Sequence, residues 1–398
     1  MSRKSILISG ASIAGPALAC WLGRYGCAVT VVELAPELRR GGSAVDFRGE
    51  ANLTVLRRMG ILDQLREAQT GGLPMRFVAA DGRSRLLLPA EFAGGDLGVR
   101  RYDLARVMYE HSRQQVEYLF GDSITALEQE PAGVRVTFAS GARRDFDLVI
   151  GADGIHSNVR RLAFGPEDRY VKHLGYYVST WETANFLDVP HGSVLHNDPG
   201  RAIGLGRDPS DPSLGNGFAI FAAPRLDYDR RDTARQQRLV AEAFTGMGWH
   251  ASRLIASLAD AGGFYFDSIS RADVPAWSAG QIVLAGDAAC GATIGGMGTG
   301  TALLGAYVLA GELARAAGDH AVAFRRYESL LRPYASKTQQ GGDRTGKFMA
   351  PRSRLGGWLR DTMLSRRFAM DLMLKAGREQ AARIELPDYP ALVAVAGG

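Results

Sequence analysis

The run Ser5-Ile6-Leu7-Ile8-Ser9-Gly10-Ala11-Ser12-Ile13-Ala14-Gly15-Pro16 constrains this chain more than any other stretch. A short apolar strand must leave the sheet through Gly10, turn within Ala11, Ser12 and Ile13, and enter a helix at Ala14 and Gly15. Gly10 permits the tight exit, Gly15 lets the helix lie close to the strand, and Pro16 suits a first helical turn. Ala28-Val29-Thr30-Val31-Val32-Glu33 supplies a second strand, closing a βαβ unit with a carboxylate at its end. A helix N-terminus offers unpaired N–H groups to a pyrophosphate, and Glu33 stands where ribose hydroxyls would be read. The unit therefore predicts dinucleotide binding. Ser12 replaces the fingerprint's middle glycine, and its hydroxyl is small enough to approach a phosphate and donate to it.

Two later segments repeat the strand-then-turn pattern. Asp147-Leu148-Val149-Ile150-Gly151-Ala152-Asp153-Gly154-Ile155-His156-Ser157-Asn158-Val159-Arg160 puts an Asp-Gly turn between a buried strand and a helix. Gln281-Ile282-Val283-Leu284-Ala285-Gly286-Asp287 ends another strand on Gly-Asp, followed by a glycine-rich loop through Gly295, Gly296 and Gly298 and a long helix. Between them, residues 171–270 change texture to short β-rich runs separated by Pro/Gly/Asp loops, with one helix near 233–245. Apolar spacing over 51–68 predicts a helix, and the tail over 324–384 is mostly helical. The fold class is thus α/β: a Rossmann-like domain carrying an inserted antiparallel sheet.

Composition narrows the function. Forty-six per cent hydrophobic and 22% charged residues over 398 positions describe a globular chain, and no apolar run is long enough to span a bilayer. No secretory leader is legible, and three cysteines without a C-x-x-C spacing suggest a reducing, cytoplasmic setting with no disulfide framework. The +5 charge comes from scattered arginines that never interleave with aromatic residues, so nucleic acid is not an expected partner. His191 and His196 lack ligand spacing and nearby carboxylates, and no metal is expected.

The fingerprint, the Asp153-Gly154 turn and the Gly286-Asp287 turn, in this order, resemble the single-component FAD-dependent aromatic hydroxylases of the para-hydroxybenzoate hydroxylase type. The resemblance runs over roughly residues 3–340. Arg39-Arg40-Gly41-Gly42-Ser43-Ala44-Val45-Asp46 and Arg101-Tyr102-Asp103-Leu104 look like the corresponding segments of the tetracycline-degrading monooxygenase branch. The resemblance implies FAD held by the 10–15 turn, Glu33, Arg40, Asp46, Arg101, Asp153, Gly154, Asp287, Gly296 and Gly298, with NADPH or NADH met by Arg39. It also implies reaction of the reduced flavin with molecular oxygen at C4a, and hydroxylation of an aromatic or polyketide-like molecule by the resulting hydroperoxide. The flavin loop departs from the family pattern in lacking a proline. On this reading residues 1–72, 99–170 and 272–340 form the FAD-binding domain. Residues 73–98 and 171–271 form the substrate domain, and 341–398 a helical segment that bridges the two. A monomer or homodimer is expected.

Candidate substrate contacts are Tyr176, Thr180, Trp181, Phe218 and Phe266, although strand alternation must send some of them into the core. No catalytic base stands out; His173, His191 and His196 are weak candidates. The apolar residues Trp358, Leu359, Met363, Phe368, Met370, Leu372 and Met373 suggest the bridging helix, with a membrane-surface helix as the other reading. A reductase or oxidase of the same fold, or a flavin-binding scaffold without turnover, are the alternative functions. A halogenase is disfavoured because no lysine lies between Lys4 and Lys172.

Overall fold

The computed structural model describes residues 4–39, 44–295, 297–381 and 384–389. Its first sheet joins β1 (Ser5–Ser9), β2 (Ala28–Glu33), β7 (Glu117–Phe120), β11 (Leu148–Gly151) and β18 (Ile282–Leu284) in parallel, with β17 (Ser278–Ala279) antiparallel at the edge. The order is β17-β18-β11-β1-β2-β7. Ile6, Leu7, Ile8, Leu148, Val149, Ile150, Val283 and Leu284 are buried, as strands covered on both faces must be. The helices α1 (Ala14–Arg24), α5 (Arg101–Ser112) and α10 (Gly298–Arg315) supply residues to the same core. The C-terminal ends of β1, β11 and β18 therefore open onto the three glycine-containing turns, which is where α/β sheets bind ligands.

The predicted helix over 51–68 is two helices, α2 (Glu50–Met59) and α3 (Leu62–Glu67). Gly60, at φ +77°, takes the left-handed conformation that ends the first. Beside them β3 (Ala44–Phe47) pairs antiparallel with β6 (Leu97–Arg100), with the short α4 (Ala90–Ala93) before β6. The strands β8 (Ile124–Glu130), β9 (Gly133–Phe138) and β10 (Arg143–Phe146) make a small antiparallel sheet leading into β11.

The large second sheet contains β4 (Met75–Val78), β5 (Ser84–Leu88), β12 (Val171–Ala184), β13 (Ser193–Asp198), β14 (Arg201–Arg207), β15 (Leu214–Ala222) and β16 (Gly262–Ala272). Their order is β16-β12-β15-β14-β13-β4-β5. Every pair is antiparallel except β4–β13, which is parallel because β4 belongs to a separate excursion of the chain and is not tied to β13 by a hairpin. One face is covered by α7 (Thr233–Ala243) and α8 (Ala251–Ala256). The other meets the end of α11 (His320–Met349), together with α12 (Arg354–Leu364) and α13 (Arg367–Ala381).

The two sheets are joined by α11 and by the chain that follows it, which reaches the second core through Met370 and returns to the first through Tyr389. Within α11 the join is made by its two ends. Its Phe324, Tyr327, Leu331 and Tyr334 belong to the first core, and its last residue, Met349, belongs to the second. Among the described residues no helix is long and apolar enough to cross a membrane.

Candidate active site

The strand-to-helix turn is shaped by backbone contact. Gly10 sits at φ +105°, and a Cβ there would lie 2.5 Å from the Ala152 carbonyl oxygen; one on Gly15 would lie 1.8 Å from that of Gly10. Only hydrogen fits at either position. Ile13, the cap residue of α1, gives no side-chain hydrogen bond to the helix, and the first turn holds no acid. Its free N–H groups and positive dipole end are thus available to an anion. Arg101, at the start of α5, donates from Nη2 to Ser12 Oγ at 2.9 Å and from Nε at 3.2 Å. With the arginine occupying an acceptor lone pair, the Ser12 hydroxyl proton points elsewhere, free for a phosphate oxygen.

Glu33 closes the turn from the neighbouring strand. It accepts from Ala11 N at 2.8 Å and from Ala35 N at 2.9 Å, which fixes the carboxylate while leaving further lone pairs for hydroxyl donors. Arg39 lies 3.6 Å from Glu33 and is otherwise exposed. Arg40 and Gly296 fall outside the described residues. Asp46, in β3, accepts from Gly95 N at 3.2 Å, and burial raises its carboxyl above the ordinary range.

The Asp153-Gly154 turn is locked from within. Asp153 accepts from Ser157 Oγ at 2.5 Å and from Val159 N at 3.0 Å, tying it to the start of α6 (Asn158–Ala163). Gly154 takes φ +83°. From the same helix the wholly buried Arg160 donates to the Ala288 carbonyl at 2.9 Å. Ala288 lies in α9 (Asp287–Cys290), so the two later motifs form one unit.

Asp287 is the carboxylate in this unit to which no protein group donates, and Arg160 Nε is likewise without a partner among the described residues. Half-buried, the Asp287 carboxylate accepts no hydrogen bond among the described residues, and burial pushes its pKa up against the partial relief of the Arg101 charge. Gly298 stands close by, with room for a Cβ no nearer than 3.1 Å to Oδ1. A carboxylate short of donors, an uncapped helix start, a ribose-type carboxylate and an arginine-held serine are the groups a dinucleotide would engage. The residues present fit FAD.

Residues 3–344 match the FAD binding domain family. The chain belongs to that family and is a flavin-dependent monooxygenase. A "Flavin-dependent monooxygenase" from an unknown prokaryotic organism is 35% identical over 394 residues, covering 97% of this chain and 99% of the relative. An uncharacterized protein of Mycobacterium tuberculosis is 40% identical over 344 residues, 84% of this chain and 92% of its own. Among solved structures, the tetracycline destructase Tet(51) superposes with a TM-score of 0.85 at 30% identity, covering 97% of this chain and all of that one.

The large sheet divides the residues expected to meet a substrate by face. Tyr176, Val178 and Thr180 pair with Ala222, Ile220 and Phe218 on one face, whereas Tyr177, Ser179 and Trp181 pair with Phe221, Ala219 and Gly217 on the other. Trp181 and Phe266 lie on the face away from Thr180: both pack under α7 and α8, and the Trp181 indole donates to Ser257 Oγ at 2.9 Å. Tyr176 has the right face but is sealed beneath α11, its hydroxyl donating to Ala350 O at 3.1 Å. Thr180 and Phe218 remain half-open, and register continues their row to Tyr265 on β16, which is 43% exposed. The strand that carries Tyr265 is tied to the cofactor-type turns: Ala272 N donates to Gly291 O at 2.9 Å and Thr293 N to Ser270 O at 3.1 Å in the loop after Asp287, and Asp267 lies 3.0 Å from His156 beside the Asp153-Gly154 turn.

One further group joins the two sheets, and no spacing in the sequence marks it. His156, two residues beyond Gly154, sits between Glu167 and Asp267, with Nδ1 3.0 Å from Glu167 Oε2 and Nε2 3.0 Å from Asp267 Oδ1. Arg230 completes the cluster at 2.8 Å from Glu167, and the Tyr265 hydroxyl lies 3.4 Å from Asp267 Oδ2. Burial disfavours the charged ring, but the two carboxylates outweigh it and raise the His156 pKa. Burial likewise pushes Glu167 up, yet His156 and Arg230 pull it down to about 2. The candidate histidines of the sheet do less. His173 bonds the Ala223 carbonyl, buried His196 bonds that of Val78, and His191 is exposed.

The His156 cluster has a defined pH window. The histidine's contribution is complete below its unfolded pKa of about 6.5 and fades as pH rises through the elevated folded value. That of Glu167 is complete above about pH 4.5 and fades only toward its depressed value. His156→Ala is therefore expected to cost about 2–3 kcal/mol of unfolding free energy near pH 6 and distinctly less near pH 9. Urea denaturation at both values checks this, and equal losses at the two would contradict it.

Proposed function

We propose that this monooxygenase hydroxylates an aromatic or polycyclic, polyketide-like molecule, taking electrons from NADPH or NADH and one oxygen atom from molecular oxygen. The half-open row Phe218–Thr180–Tyr265, ending on the strand β16 that hydrogen-bonds to the loop after Asp287, is the observation that carries the reading. It offers an aromatic surface with two hydroxyls, suited to a flat ring system bearing polar substituents. Family membership and the structural similarity to a tetracycline destructase support it.

FAD would be held by the 10–15 turn, Glu33, Asp46, Arg101, Asp153, Gly154, Asp287 and Gly298; bound there, it would supply the electron transfer and oxygen activation that the side chains lack. Arg39 is the proposed contact of the nicotinamide cofactor. The protein's own part is to orient the ring against Phe218 and to exclude water through the packed face beneath α11 and α13.

The test follows flavin absorbance under anaerobic NADPH and NADH, then oxygen and nucleotide consumption with a panel of phenols and tetracyclines. A substrate should stimulate nucleotide consumption and emerge with one added oxygen. Phe218→Ala should raise KM for it about tenfold or more at unchanged FAD content, from the lost aromatic burial. Consumption that yields only hydrogen peroxide with every compound, or an unchanged KM, would defeat the proposal.

A further inference from the structure

The helix α12 is built inside out. Its buried positions are Gly357, Arg360 and Asp361, whereas Leu355, Trp358, Leu359 and Met363 are exposed. The inward charges are satisfied: Arg360 donates to Asp361 at 2.7 Å, to Asn197 at 3.1 Å and to the Phe348 carbonyl at 2.8 Å, and it lies over the Phe77 ring. The outward apolar residues follow helical spacing, and α13 extends the surface with Phe368, 80% exposed, and Leu372. Scattered exposed apolar residues need no explanation, but six on two consecutive helices do.

We propose that this surface docks onto an anionic lipid bilayer. The charges around it select that occupant. Among the described residues Arg354, Arg366 and Arg367 are exposed without a carboxylate partner, and Asp371 is the one exposed acid of these two helices. A second copy meeting the same patch about a two-fold axis would bring these arginines toward their own counterparts. A polyanionic plane instead neutralises them while the apolar row sinks into the headgroup boundary, the arrangement of interfacial amphipathic helices. On the opposite side, α13 presses Met370 onto the sheet face that carries Thr180 and Phe218. Docking therefore sets the helix covering that face against the membrane.

Sedimentation with phosphatidylcholine vesicles, with and without phosphatidylglycerol, tests the proposal on the FAD-loaded protein. Wild type should bind only the anionic vesicles and be released in about 1 M salt, where screening is strong. Trp358→Asp combined with Phe368→Asp should abolish binding, and Arg366→Glu combined with Arg367→Glu should weaken it about tenfold or more. Flavin content and thermal midpoint of each variant report intact folding. The arginine pair, lying at the surface, keeps the test decisive if the aspartate pair does not fold. Absence of binding by wild type, or undiminished binding by the arginine variant, would overturn the proposal. So would a wild-type dimer that the aspartate pair splits into monomers.

Discussion

Gly15→Ala is expected to yield a protein that retains no FAD and is destabilised by about 3 kcal/mol. The added methyl would lie 1.8 Å from the Gly10 carbonyl oxygen and 3.0 Å from its carbon, and both are backbone. No rotamer change relieves such an overlap; α1 must move off the sheet. That movement carries away the helix N-terminus and Ser12, on which Arg101 is seated. Gly26→Ala separates the steric effect from glycine's conformational freedom. Gly26 takes φ +81° with nothing within 4 Å of a Cβ, so its substitution should cost only the left-handed strain of about 1–2 kcal/mol and leave FAD bound. The ratio of flavin to protein absorbance and urea unfolding of both variants distinguish the cases. Full flavin occupancy in Gly15→Ala would show that the turn does not hold the cofactor.

The parts of the site that were legible are those whose geometry is local. The strand, turn and helix from Ser5 to Arg24 are fixed by side-chain size over a few consecutive residues, and Glu33 follows from where the next strand ends. The proposed substrate wall is not legible in the same way. Alternation shows that Thr180 and Trp181 face opposite sides, but not which side α7 and α8 will cover. That depends on contacts such as Trp181 with Ser257, 76 positions away in sequence. The same holds for Tyr176, sealed by Ala350 at a separation of 174. His156 was in plain view inside a motif, yet one of its two partners, Asp267, is 111 residues distant. A sequence window shows a histidine there without its carboxylates. The C-terminal helices exposed a different limit. Their apolar content points to a segment touching both sheets, and Met370 and Tyr389 do reach the two cores, but the spacing does not show that Arg360 and Asp361 turn inward to meet Asn197, Phe77 and Arg85.

Asp287→Asn should move stability and cofactor affinity in opposite directions. The Asp287 carboxylate is half-buried, accepts no hydrogen bond among the described residues, and has its pKa raised by burial. Such a group destabilises the fold in its charged form. The penalty is absent below the unfolded carboxylate pKa of about 3.9, grows as pH rises, and is complete above the elevated folded value. Asparagine keeps the volume beside Gly291 and Gly298 and removes the charge. The apoprotein is therefore expected to gain about 1 kcal/mol at neutral pH and nothing near about pH 3.5. FAD affinity should fall about tenfold to a hundredfold, since a hydroxyl donated to a charged carboxylate is worth about 1.5–3 kcal/mol. Calorimetric unfolding of the apoprotein at the two pH values and flavin-fluorescence titration measure the two halves separately. A variant that lost stability and affinity together would show Asp287 to be a structural anchor. A gain in one with a loss in the other identifies a carboxylate kept unsatisfied for the cofactor.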